Sequence, residues 1–415
     1  MLKNKDELMR ALMLKDAVAI GLGAIIGAGI FVVTGVAAGV SGPSFIVGLV
    51  IAGTIASFNG LSSAQLAAVY PQSGGTYEYG YQLLSPWFGF TAGWMFLISK
   101  LSAAGVVAIG FGSYFHHLVP VVSPQIISVI AILFLTVVNL FGIKKAGLIN
   151  ILIVTTTILS LLYLVFSGLP QVEINNFTPF APFGISGIAE SAALLFFAFT
   201  GYARIATLAE EVHHPEKTIP SAIIITIFSA IILYAAVSFV AIGVVGTENM
   251  ASTTSPLHIV GNALDTPSIS IVVTIGASTA MLGVLLSQIL GISRMMLAMG
   301  RRNDFPPFFQ KVHRHYKVPH LSIIFTGLII LLLTLIGSFE FIVRAASFTI
   351  LLYYGITNIA ALRQKRNQQR YSKIVPTLGL IGCLAMSLSL PLNVILIGVS
   401  LLLVGFILRL LLNFK

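Results

Sequence analysis

Charge is what this sequence has least of. Asp, Glu, Lys and Arg together make up 9% of its 415 residues, against roughly 25% in an ordinary soluble domain, which excludes a soluble globular protein. Cys383 stands alone, so no intrachain disulfide can form, and the cysteine reads as a small apolar residue. Neither a Gly-x-Ser-x-Gly elbow nor a Walker sequence occurs, and hydrolysis and ATP-driven transport are left without a motif. The eight histidines include the adjacent pairs His116 with His117 and His213 with His214, while His313 and His315 flank Arg314. No usual zinc spacing arises from them, so neither a metal nor a cofactor is expected.

What the chain has in abundance is apolar sequence. Hydrophobic residues account for 57% of it, and the mean hydropathy is +0.99. Apolar runs of about 18 to 25 residues recur, each enough to cross a hydrocarbon core of roughly 30 Å. Twelve are expected, at 16 to 40, 44 to 67, 87 to 115, 125 to 142, 148 to 168, 186 to 212, 220 to 246, 268 to 299, 320 to 337, 340 to 362, 375 to 390 and 393 to 412. The reading is an all-α integral membrane protein forming one transmembrane domain over residues 1–415, with no soluble domain between spans.

The net charge of +10 is placed with a bias. If the N-terminus is cytoplasmic, the loops on that side, together with both chain ends, hold 19 of the 23 Lys and Arg, and the opposite loops hold none. That is the positive-inside pattern, and it makes anionic lipid, rather than nucleic acid, the partner of this charge. The start, MLKNKDELMRALMLKD, reads as a cytoplasmic lead-in, since the apolar run after it is too long for a signal peptide. Both termini are expected in the cytoplasm of a cell whose plasma (inner) membrane holds the protein.

Four basic residues remain inside spans: Lys100, Arg204, Arg294 and Arg344. Arg294 and Arg344 lie near span ends and are expected to snorkel. Lys100 and Arg204 lie deeper and need partners, the acids nearest Arg204 in sequence being Glu190, Glu210 and Glu211. Two spans also look breakable. Span 1 reads AIGLGAIIGAGIFVVTG, and span 6 carries Gly201 in FAFTGYARIA. Glycine weakens a helix by about 1 kcal/mol and frees backbone groups for a ligand. Interruptions at corresponding places in two halves point to the midplane site of a transporter, although Gly23 and Gly27 also fit a small-residue packing face.

The stretches GLGAIIGAGIFVVTG, AAVYPQSGGTYEY, FFAFTGYARIATLAEEVHHPEKTIPSAI and SRMMLAMGRRNDFPPFF resemble those of the amino acid/polyamine/organocation (APC) family of permeases. The resemblance covers essentially the whole chain. It implies a LeuT-type fold: two inverted repeats of five helices (about 14–170 and 185–365), helices 1 and 6 broken, and two further helices (about 374–413). It places a carboxylate cradle at Gly27, Ala28 and Gly29, with Ile30 closing it and Ile26 also among the substrate-binding residues. On helix 6 it places Phe197, Phe199 and Gly201 at the substrate, with Phe197 as a gate. Tyr77 and Tyr79 fall in the first cytoplasmic loop as inner-gate residues, in a segment whose composition reads as a re-entrant or surface loop. Glu210 and Glu211 match an acidic pair at the end of helix 6.

The sequence departs from the family in two places. Helix 5 reads ILIVTTTILSLLYLVFSG and lacks the lysine of many proton-coupled members, with Thr156 and Thr157 near that place. Those hydroxyls can ligate sodium or bond back to the preceding turn. Lys100 stands where members that carry cationic amino acids tend to have an acid; it would repel a cationic side chain or serve itself as a proton switch. Lys100, Thr156, Thr157 and Arg204 are therefore the coupling candidates. The expected function is ion-coupled secondary-active transport of an amino acid, neutral in preference, with an exchanger of amines, polyamines or amino acids and a transporter-like receptor as alternatives. No enzymatic activity is expected.

Overall fold

In the computed structural model, residues 12–70, 74–141, 147–206, 212–264, 266 and 268–413 are described. Regular structure among them is helical, apart from an isolated parallel bridge between Leu12 and Val212. The first pass is α1 (Leu14–Ile25), a π turn (Gly29–Val33) and α2 (Thr34–Ser41). After it come α3 (Phe45–Val69), a short α4 (Thr76–Leu83), α5 (Pro86–His116), α6 (Pro124–Phe141) and α7 (Gly147–Gly168). The next pass is α8 (Gly184–Phe196), a 3₁₀ stretch (Phe197–Tyr202) and α9 (Ala203–Ala206). The rest is α10 (Pro215–Ala251), α11 (Pro256–Ala263), α12 (Ser268–Arg301), α13 (His320–Ile336), α14 (Phe339–Arg363), α15 (Ile374–Leu388) and α16 (Leu392–Asn413).

Nine helical stretches among the described residues are long and apolar enough to cross a membrane, the first of them, Leu14–Val69, joining α1 to α3. Two shorter apolar helices, α13 and α15, accompany them. Burial separates centre from periphery. In α5 and α14, 78% of the most apolar window is buried, against 22% in α16. α5 packs along α12, α14, α6, α13 and α4 and forms the central post of the bundle. The outer helices expose their apolar faces: Ile126, Ile130, Leu133, Phe134, Val137 and Phe141 form one stripe on α6. Such a stripe, at helical spacing and turned outward, is stable only against lipid. The chain is an integral membrane protein.

Ion pairs tie the bundle at both ends. At one end Arg344 of α14 bonds Glu190 of α8 at 3.1 Å and Glu340 at 3.0 Å. Arg344 therefore does not snorkel, and Glu190 is taken by it. Arg294, by contrast, is exposed.

At the other end Arg302 bonds Glu78 at 2.6 Å. Asp304, 3% exposed, accepts hydrogen bonds from the hydroxyls of Tyr77 (2.8 Å) and Tyr81 and lies 3.4 Å from Arg409. Burial, and then the Asp304 carboxylate, push both phenols well above the usual tyrosine range, so they remain donors. Arg409 is no terminal loop cation: it lies within α16, 6% exposed, with its guanidinium over Trp87 and Phe90. The segment around Tyr77, expected as a loop, is the helix α4 packed on α5, because its tyrosines are buried rather than solvated.

Removing one partner of a buried pair strands the other charge, which typically costs about 3–5 kcal/mol. Asp304→Ala is expected to lower the thermal unfolding midpoint in detergent sharply, and Asp304→Leu combined with Arg409→Leu to recover part of that loss. Equal midpoints for the single and double variants would show that Arg409 is not held by Asp304.

Candidate functional site

The first pass breaks where its glycines cluster. α1 stops at Ile25, and Ile26 turns to extended backbone (φ −78°, ψ 106°). The amides of Ile30 and Phe31 then both bond the carbonyl of Gly27, at 3.2 and 3.3 Å, and the π turn begins. The N–H groups that open the second half-helix have no partners within it, so Gly27, Ala28 and Gly29 present donors at the positive end of a helix dipole. In the second broken pass α8 tightens at Phe197 into 3₁₀ geometry, which shifts the hydrogen-bond ladder by one residue before α9 resumes, and the carbonyls of Phe197 and Thr200 accept side-chain hydroxyls.

The two breaks lie against each other. A β-carbon on Gly29 would overlap Ala198, reaching 2.5 Å from its Cα, and one on Gly201 would run into the carbonyl of Ala24 and lie 2.6 Å from the nitrogen of Ile25. Glycine is needed at both positions because two main chains approach there. Gly27 is less confined, since a β-carbon there would meet Val284 Cγ2 at 3.0 Å and no backbone.

Three tyrosines from three helices bond carbonyls at the breaks. Tyr234 of α10 donates to Ile25 O (2.9 Å), Tyr114 of α5 to Phe31 O (2.7 Å), and Tyr354 of α14 to Thr200 O (3.2 Å). A bare carbonyl in an apolar interior costs several kcal/mol, and these phenols remove that cost. Sequence reasoning did not single them out. A phenol inside a span announces that it needs a partner, but not which carbonyl will supply one.

Lys100 reaches the same place. Its Nζ donates to Thr200 Oγ1 at 3.4 Å, with the Phe96 ring centroid 5.9 Å away, and Thr200 in turn donates to the carbonyl of Phe197 at 3.0 Å. Among the described residues no carboxylate lies within ion-pair distance of this ammonium group. Ile26, Gly27, Ala28, Gly29 and Ile30, with Phe197, Thr200 and Gly201 and with Lys100 beside Thr200, thus form one neighbourhood.

The other expected residues fall elsewhere or add less. Phe199 is fully buried 5.6 Å from Tyr234 and beside Gly53, in the packing between α3 and α10. Thr157 bonds back to Ile153 O at 2.8 Å and reaches Gly276 O at 3.4 Å. Gly276 lies about 12 Å along α12 from Val284, at about 1.5 Å per residue, so Thr157 is about two turns from the break. Thr156 is partly buried on the same helix, and Arg204 is partly buried on α9. Tyr77 belongs to the Asp304 network, whereas Tyr79 lies in a separate cluster with Leu66, Ala360 and Ala361. Glu210 and Glu211 lie outside the described residues.

Sequence comparisons identify the family. A profile of the Amino acid permease family matches residues 16–413. The chain belongs to that family. It is 37% identical over 402 residues to an uncharacterized transporter of Mycobacterium tuberculosis, covering 96% of this chain and 90% of that one. It is 28% identical to the branched-chain amino acid permease BcaP of Bacillus subtilis (93% and 89% covered). It is 32% identical to the methylthioribose transporter of the same organism (79% and 75%). This permease is accordingly a transporter rather than an enzyme.

On the face opposite the Asp304 network, α11 is held to the first pass through Tyr114, which also accepts the amide of Leu257 at 3.1 Å. Beside it the rings of His117 and His258 stack at 3.5 Å with an 8° angle between planes. Burial foremost, and then His117, push His258 down to about 4.

Two outcomes are expected. Gly29→Ala and Gly201→Ala should each abolish uptake and lower stability by about 1–3 kcal/mol through overpacking. Adding Ala198→Gly to Gly29→Ala should recover little, since the Ala198 Cα remains at 2.5 Å; full recovery there would overturn the main-chain crossing. Because His258 is lowered in the fold, the unfolded chain takes up its proton first, so stability falls as pH drops from about 6.5 towards about 4. Melting curves of His258→Gln should show a shallower fall over that window.

Proposed function

We propose that this permease carries a neutral amino acid across the plasma membrane by alternating access around the point where its two broken helices cross. The observation that carries the reading is that crossing, with Lys100 aimed at its 3₁₀ side. The substrate carboxylate is received by the N–H groups of Gly27, Ala28 and Gly29, and its ammonium group by carbonyls of the 197–201 stretch. Ile26, Ile30 and Phe197 surround the side chain, and Phe197 closes over it. A cationic side chain is disfavoured by the Lys100 ammonium in the same dry space. The proposed architecture is twelve passes with both termini cytoplasmic, α1 to α7 and α8 to α14 forming the inverted repeats and α15 and α16 following them. Tyr77, through the Asp304 network, closes the cytoplasmic side.

A coupling ion drives the cycle in this reading. Thr157 spends its hydroxyl on backbone carbonyls away from the break, which favours the proton and Lys100 over sodium. The test is uptake of labelled leucine, glutamate, arginine and putrescine into proteoliposomes, with and without imposed pH and sodium gradients, for wild type and Lys100→Ala. Leucine uptake driven by inward protons in the wild type, and indifferent to the gradient in Lys100→Ala, is the expected result. Preference for arginine would sink the charge argument. Uptake only against internal substrate would make the protein an exchanger, and binding without uptake a receptor.

A further inference from the structure

Two grooves open on the outside of the bundle, and one of them is walled in part by a basic connector. It has a volume of about 460 Å³ and is walled by Phe90 and Trp94 of α5, Phe305 and Phe308 of the α12–α13 connector, Phe325 of α13 and Leu408 of α16. Phe308, Phe325 and Leu408 are 48%, 37% and 41% exposed, so its mouth lies on a lipid-facing side of the bundle. The connector that supplies Phe305 and Phe308 follows Arg301 at the end of α12 and carries Lys311, Arg314 and Lys317, all exposed, while its Arg302 is taken by Glu78. Its one acid, Asp304, is buried and engaged by Tyr77, Tyr81 and Arg409. The connector that walls this groove is therefore cationic, and among the described residues it exposes no acid. The second groove, about 330 Å³, is lined by apolar residues, Thr91 and Cys383, and no charged side chain borders it.

We infer that the first groove holds an acyl chain of an anionic phospholipid, whose phosphate is bound by the basic connector. An apolar slot at hydrocarbon depth beneath a row of exposed Arg and Lys matches the two ends of such a molecule, and a zwitterionic lipid matches only one of them. The site also touches the gate. Asp304 contributes to the groove wall while accepting the Tyr77 and Tyr81 hydroxyls, so a chain seated there presses on the network that closes this end of the transporter. The bound lipid is thus a structural ligand of the closed inner end, and its recognition does not depend on which substrate is carried.

The protein supplies its own reporters. It has two tryptophans, Trp94 in the charged groove and Trp87 in the uncharged one. Trp87→Phe leaves Trp94 as the single fluorophore, and Trp94→Phe leaves Trp87. Each is reconstituted into vesicles of dioleoyl phosphatidylcholine containing increasing fractions of brominated phosphatidylglycerol or brominated phosphatidylcholine, and quenching is read. Half-quenching of Trp94 is expected at a mole fraction of the brominated anionic lipid at least about fivefold below that of the zwitterionic one. Trp87 should show no preference, and Lys311→Glu with Arg314→Glu should abolish the preference at Trp94. Equal quenching of Trp94 by both lipids, or none beyond that of Trp87, would overturn the proposal, as would a preference that survives the charge reversal. None of these readings requires transport, so the lipid site can fail while the permease stands, or the reverse.

Discussion

The structure depends on two main chains meeting inside a membrane. Where Gly29 faces Ala198 and Gly201 faces Ala24, a β-carbon on either glycine would collide with the opposite pass. Such contact lets both helices be interrupted at one level. It also obliges the surrounding helices to satisfy polar backbone that lipid cannot solvate, which is the task of Tyr114, Tyr234 and Tyr354. The rest of the bundle can be understood as the scaffold that brings those phenols to that level.

α5 and α14 carry most of this burden. α5 supplies Lys100 and Tyr114 to the breaks, and α14 supplies Tyr354 there and Arg344 to the opposite ion pair. Both are buried along most of their length, as helices with polar duties in a bilayer must be, while α6 and α16 present leucine, isoleucine and phenylalanine outward. The two ends are tied by different chemistry. One relies on Glu190, Arg344 and Glu340, the other on a wider net that includes two phenols.

Much of this is legible in the sequence, and what is not has a physical cause. Glycine spacing locates both breaks, because only a residue without a side chain permits such an approach, and the positioning of Lys100 follows from its depth in a span. Arg344 and Arg409 defeat the same reasoning, since distance to a span end says nothing of a carboxylate on another helix. The turn formers and aromatics of the α4 segment suggest a loop, whereas Tyr77 is held by Asp304, more than 200 residues away. Phe199 and Tyr79 share motifs with Phe197 and Tyr77, yet neighbouring residues on a helix point in different directions, and only packing distinguishes them.

The position of Arg409 also has a consequence for how the protein is made. Asp304 enters the membrane assembly with α12, but its cationic partner is carried by α16, which leaves the ribosome about a hundred residues later. Until that helix is inserted, the carboxylate must be held by Tyr77, Tyr81 and water at the bilayer edge, and the apolar pocket beside it stays unsealed. The Asp304 end of this permease is therefore finished later than the crossing of the breaks, and a chain released before α16 would lack its keystone while keeping every residue of that crossing.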